Sequence, residues 1–383
     1  MSRLSRRGFL KTTGCAACVA ATGVCRAGDV SRKEVPFYEH LDGLQIECAI
    51  CPRQCRVGDG ERGYCGNKEN RGGRYESIVY GRHASSPDAV DPIEKMPLYH
   101  YSPGSRVHPI ATAGCNVECK YCQNWQIAQS RPEQVKHHRR SPSQVVDDAV
   151  RLDCDAVAFT FTEPVVFYSY MFDIAVAARS RGLGAVMISN GYINAEPMKA
   201  LCEHLSAVKI DLKGFSEKFY GDIVNCSLKP VLDTLKTVKA AGVHLEIVNL
   251  VLPGLNDAKE DVEKMCKWIH DELGPDVPLH FTRFHKMYKL KYVPDTPMSA
   301  VERARDIGLD AGLRYVYLGN TVGHPGESTY CSKCGKALVR RAGFKIVENC
   351  VGKSGSCPEC SANVPGIWSK TGRIEEKPAN ASG

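Results

Sequence analysis

The sequence predicts an α/β protein, a partial or full (β/α) barrel set between two small cysteine-rich lobes. From about Val107 to Asn320, short apolar runs alternate with amphipathic stretches, the pattern of successive βα units on a parallel sheet. Polar residues fall at or just past the ends of those runs: Glu163, Ser189, Asn190, Asp211, Lys213, Asn249, His285 and Asn320. A barrel carries its reactive groups there. The 19 cysteines are grouped rather than scattered, as metal ligands are.

Composition narrows the classes further. With 383 residues, 43% hydrophobic and 24% charged, the chain has a core to bury, and fibrous or wholly disordered classes are excluded. The net charge of +7 is spread along the chain, with one short cluster at 136–140. That cluster reads as a solvated loop, and no nucleic-acid partner is expected.

Residues 1–27 are set apart. Ser5-Arg6-Arg7-Gly8-Phe9-Leu10-Lys11 followed by an Ala- and Gly-rich stretch to about Val24 has the layout of a twin-arginine export signal, with a cleavage point around Ala20 to Ala27. The alternatives are an uncleaved N-terminus that never leaves the cytoplasm and one that stays as an anchor. The apolar part, about 13 residues, is shorter than the roughly 20 a membrane helix needs. No later run would span, so a mature protein without a membrane span is expected.

The barrel elements follow in order, from 105 to 322. The apolar runs start at Val107, Asp155, Gly184, Ser206, His244, Pro278 and Tyr315. Ser141-Pro142 reads as an N-cap with proline in the first turn, opening a helix to Leu152. Further helices are expected near Val166 to Arg181, Pro230 to Ala241, Asp257 to Leu273 and Ser299 to Ala311.

The loop after the first run reads AGCNVECKYCQNW and places Cys115, Cys119 and Cys122 in a CxxxCxxC array. Four cysteines close a four-iron cluster for electron transfer, whereas three leave one iron open to bind a further group. In its barrel context the array resembles the signature of radical S-adenosylmethionine (SAM) enzymes. The strings CAICPRQCRVGDGERGYCGN, CKYCQNW, FTEP, VKIDLKGF, VLPGLND, YLGNT and YCSKCG resemble the AmmeMemoRadiSam enzymes, relatives of pyruvate formate-lyase activating enzyme. The likeness extends over about residues 45 to 370.

The resemblance implies that Cys115, Cys119 and Cys122 hold a 4Fe-4S cluster, with Tyr121 beside the last cysteine. It also implies that SAM chelates the open iron and is reductively cleaved to a 5'-deoxyadenosyl radical. Thr162-Glu163-Pro164 stands where the family has Gly-Gly-Glu-Pro, so Glu163 would accept from the cofactor's amino group. Phe161 and Thr162 replace the two glycines, which puts backbone contacts there in question. Asn190, Asp211 and Lys213 resemble positions that touch the cofactor, and His285 one that lines the substrate side. The implied partners are an electron donor and an unknown substrate, with a glycine on a partner protein as one option. The alternative is a non-enzymatic iron-sulfur electron carrier or redox sensor.

Two cysteine sets flank the barrel. Cys331, Cys334, Cys357 and Cys360, within 327–370, form paired CxxC knuckles and read as a zinc-ribbon-like lobe, with iron or a redox disulfide pair as alternatives. So short a segment needs a metal to order it. Cys48, Cys51, Cys55 and Cys65, within 40–100, wrap a glycine-rich loop. A second metal or cluster, or two disulfides, would fit there. Cys154, Cys202, Cys226, Cys266 and Cys350 read as small buried hydrophobes. A phosphate loop and an HExxH helix are missing from the sequence, and 371–383 has a disordered-tail composition.

Overall fold

The computed structural model describes residues 32–369. The twin-arginine segment and the tail lie outside the described residues. Seven parallel strands run in chain order: β1 (Arg106–Ile110), β2 (Ala156–Phe159), β3 (Gly184–Ser189), β4 (Ala207–Asp211), β5 (His244–Val251), β6 (Leu279–Arg283) and β7 (Val316–Gly319). Each coincides with one of the expected apolar runs, β1 beginning one residue early at Arg106. The two-residue strand Asp91–Pro92 pairs antiparallel with β1. β7 forms the opposite edge, so the sheet is a curled, open barrel rather than a closed one.

Helices α1 (Pro142–Arg151), α2 (Tyr168–Ser180), α3 (Ala195–Cys202), α4 (Lys229–Ala240), α5 (Lys259–Leu273) and α6 (Met298–Asp310) cover the outer face. Ser141 caps α1 by accepting from Gln144 N at 3.3 Å, with Pro142 in the first turn, as the sequence predicts. The helix α3 was not among the expected ones. It has only eight residues, too few for a clear 3.6-residue period.

Alternation along the strands divides the core in two. Ile110, Phe159, Met187, Ile210, Ile247, Phe281 and Leu318 bury outward under the helices. Val107, Ala156, Ala158, Val186 and Ala207 face the concave side and pack on Ile93, Met96, Leu98 and Tyr101. The segment before β1 therefore fills the barrel, and small residues make room for it. A Cβ on Gly184 would stand 2.3 Å from the Tyr101 hydroxyl.

The filled part is also polar. Glu246, on β5, is fully buried. It accepts from Tyr99 N (3.0 Å), His100 N (2.7 Å), His244 Nε2 (2.9 Å) and His280 Nε2 (2.7 Å). These bonds hold its carboxyl well below the usual range against burial, which pushes it up.

The C-terminal lobe is the three-stranded sheet β8 (Thr329–Tyr330), β9 (Ala337–Ala342) and β10 (Lys345–Asn349). It docks on the barrel through Ile367, which bonds His100 O and Ser102 N. Arg341 reaches from the lobe to Tyr99 O at 2.8 Å. The N-terminal lobe has two small antiparallel sheets, one of Tyr38–His40, Ile46–Cys48 and Arg56–Val57, the other of Lys33–Glu34, Arg74–Ser77 and Lys68–Arg71. Among the described residues, no helix is long and apolar enough to cross a membrane.

Candidate active site

The loop leaving β1 carries Cys115, Cys119 and Cys122, and backbone bonds fix its course. Gly114 N donates to Ile127 O (2.9 Å), Glu118 N to Val224 O (3.0 Å) and Lys120 N to Ile223 O (2.9 Å). Gly114 has φ +88, and a Cβ there would meet Cys65 O at 2.7 Å. Conformation and space both require glycine. Burial pushes all three thiols up, Cys122 to about 11 and Cys115 well above the ordinary value, so loading a metal must release protons.

Glu163 follows β2 and is wholly enclosed. Its carboxylate accepts from Ser189 Oγ (2.8 Å), Asn190 N (2.8 Å) and Val165 N (3.1 Å). Burial outweighs these bonds and holds its pKa at about 7. Asn190 turns its amide toward Cys115 Sγ at 3.8 Å and donates to Asn116 Oδ1 at 2.9 Å. Phe161, where the family carries glycine, adopts φ +66, a conformation costly for a bulky residue. Asn124 steadies it by donating to its carbonyl at 2.6 Å.

Asp211 and Lys213 lie at the end of β4. Lys213 Nζ is 3.2 Å from Asp211 Oδ2, and Lys209 pairs with the other carboxylate oxygen. Lys213 stands 5.8 Å from the centre of the buried Tyr121 ring, and its charge opposes the upward push of burial on Cys119. His285 stands just past the end of β6. It is exposed and pairs with Asp295 at 3.3 Å. Asn249 faces the helices, donating to Leu212 O at 2.8 Å and lying 3.8 Å from Met265 Sδ.

The donor sets can be tested against the metals implied. A single tetrahedral zinc at Zn–S of about 2.3 Å holds its sulfurs roughly 3.8 Å apart. Cys331 and Cys360 are 3.6 Å apart and Cys334 and Cys357 3.7 Å, and all four sulfurs lie within 4.8 Å of one another. Among the described residues no other three cysteines are so close. The C-terminal quartet fits one ion. The Cys115 triad fits a body larger than one ion, as a four-iron cluster is, and the carboxylate of Glu163 stands at the same end of the barrel to receive an ammonium.

Sequence reasoning missed Lys209, Asn116 and Lys68. Lys209 was visible in principle, because Lys209, Asp211 and Lys213 alternate with period two along one strand face. Asn116 and Lys68 carry no such signal. Among the single cysteines, Cys154, Cys202 and Cys266 are buried, but Cys226 and Cys350 are only half-buried. Cys350 lies in the small lobe, which has little interior to offer.

The open α/β sheet with its three-cysteine loop is that of an enzyme class: the chain belongs to the radical SAM superfamily, whose sequence model matches residues 110–269. The chain is 44% identical over 309 residues to an uncharacterized protein of Methanocaldococcus jannaschii, MJ0808, covering 81% of this chain and 91% of that one. It is 24% identical to the pyruvate formate-lyase-activating enzyme of Clostridium pasteurianum, covering 53% and 89%. With the benzylsuccinate synthase activating enzyme of Thauera aromatica the identity is 22%, covering 68% and 80%. A solved domain of a pyruvate-formate lyase-activating enzyme from Bacteroides vulgatus covers 43% of this chain and 99% of its own, at 15% identity and a TM-score of 0.39.

Proposed function

We propose that this radical SAM enzyme is of the AmmeMemoRadiSam type and acts as an activase, drawing hydrogen from a glycine on a partner protein. The observation that carries the chemistry is the pairing of a three-cysteine loop with a buried carboxylate, Glu163, through Asn190. When bound, a 4Fe-4S cluster and SAM would supply one-electron cleavage to a carbon radical. The chain's own residues bind, orient and exclude water. Cys115, Cys119 and Cys122 would hold the cluster, Glu163 would take the ammonium, and Asp211 and Lys213 would present opposite charges at the next strand ends. The filled barrel floor keeps water from reaching the site from below.

A protein substrate is favoured by the activating enzymes among the relatives and by the site's surroundings. Trp125, three residues past Cys122, is 37% exposed and stacks on Tyr288 at 5.0 Å. A flat aromatic pair suits a polypeptide. The C-terminal quartet is assigned one structural zinc, and the Arg6-Arg7 segment export by the twin-arginine route.

The test is anaerobic reconstitution with iron and sulfide, then addition of SAM and dithionite. Formation of 5'-deoxyadenosine is expected, and Cys119→Ala should lose both the cluster and the product. If no product forms and the cluster's paramagnetic signal ignores SAM, the protein is an electron carrier instead.

A further inference from the structure

We infer that Cys48, Cys51, Cys55 and Cys65 hold a second iron-sulfur cluster, closed by all four thiolates, that relays single electrons to the Cys115 site. The four side chains come from separate turns of the N-terminal lobe and line one enclosed cleft. Cys48 N donates to Cys55 O at 3.0 Å, folding two of them toward each other. Unlike the C-terminal quartet, no three of these sulfurs lie mutually within 4.8 Å, a spacing too wide for one tetrahedral ion and in keeping with the longer reach of a cluster.

Lys68 argues against disulfides. It is only 3% exposed, and its ammonium lies 3.8 Å from Cys65 Sγ and 3.0 Å from Val166 O. A buried cation requires opposing charge. Two disulfides carry none, whereas an iron cluster on four thiolates is anionic.

The position of the cleft gives the cluster its role. Asn116, adjacent in the chain to Cys115, forms part of its wall, and its carbonyl accepts from Arg53 Nε at 2.9 Å. A Cβ on Gly114 would run into Cys65 O, so the two loops pass close together. One strip of chain therefore borders both cysteine sets. A cluster with four protein ligands has no open iron for a substrate, which leaves electron transfer. One electron would arrive from a protein reductant of the ferredoxin class and pass to the open cluster, with no atom transferred. Each cluster then returns to its oxidised state when the electron is consumed in SAM cleavage. The electron's destination rests on the radical SAM reading above, but the presence of the cluster does not.

Iron analysis and paramagnetic resonance on the reconstituted full chain test this. About eight irons per chain and two signals are expected, of which only one shifts on adding SAM. Cys51→Ser with Cys55→Ser should lower iron to about four and retain the SAM-sensitive signal, while cleavage driven by reduced ferredoxin falls at least tenfold. Cys119→Ala should instead retain the SAM-insensitive signal. That result would stand even if the radical SAM reading failed. Lys68→Gln keeps all four thiolates, and should preserve the iron count while making the second cluster harder to reduce. About four irons in the unaltered chain, with these cysteines found as disulfides or on zinc, would overturn the inference. So would a potential unmoved by Lys68→Gln.

Discussion

Asn190 joins Glu163 to Cys115: its backbone N–H lies 2.8 Å from one carboxylate oxygen, and its side-chain amide 3.8 Å from the sulfur. The group that would receive an ammonium and the loop that would hold iron are thus set by one residue at the end of β3. A shift of that strand end moves both.

SAM affinity should depend on pH through Glu163. Its pKa, near 7 because of burial, is raised, so the carboxyl is neutral below that value and must lose a proton to face an ammonium. Affinity should rise about tenfold per pH unit up to about pH 7 and then level off. Glu163→Gln should bind roughly ten- to a hundredfold more weakly at pH 8 and lose the slope. Equilibrium dialysis at pH 6, 7 and 8 reads both effects, and a slope that persists in the variant would refute the assignment.

Asp211 compensates two ammonium groups, Lys209 and Lys213. Asp211→Asn leaves them facing each other in a half-buried site. A loss of about 1–3 kcal/mol is expected, read from urea unfolding. Lys209→Met in the same chain should restore part of it.

Folding stability should fall in acid because of neutral buried histidines. Burial lowers His100 to about 3, and burial with the neighbouring His108 and His138 lowers His83 to about 4. Both lie below the ordinary value near 6.5, so the stability is complete above that pH and is lost as pH falls toward the folded values. The slope is about 1.4 kcal/mol per pH unit for each histidine. Unfolding midpoints at pH 7, 6 and 5 measure it, and a flat profile would contradict the burial.

Loss of the zinc proposed for the C-terminal quartet should loosen the lobe and leave the barrel folded. Cys357→Ser should take bound zinc from about one per chain to none. Limited proteolysis should then cut within 331–360, because so small a sheet has little core of its own. Unchanged protease resistance would show that docking through Ile367 and Arg341 suffices.

Much of the architecture was readable residue by residue. The seven apolar runs became seven strands because each is short and apolar, and five of them are followed by an amphipathic stretch long enough to show a helical period. The triad stands out because spacing along one loop is a local property. Asp211 and Lys213 were legible for the same reason. Asn249 was not legible as a residue turned toward the helices, because its strand face depends on register.

The sequence by itself determined the order of βα units, the three-cysteine loop after β1 and the two flanking cysteine sets, since all of these depend on near neighbours in the chain. Only tertiary structure decided that the sheet stays open and that residues 93–101 fill it. It also decided that Lys68 faces four thiols and that Asn190 ties Glu163 to Cys115. These contacts join residues far apart in the chain, and burial, which sets both their charges and their partners, is a property of the packed molecule.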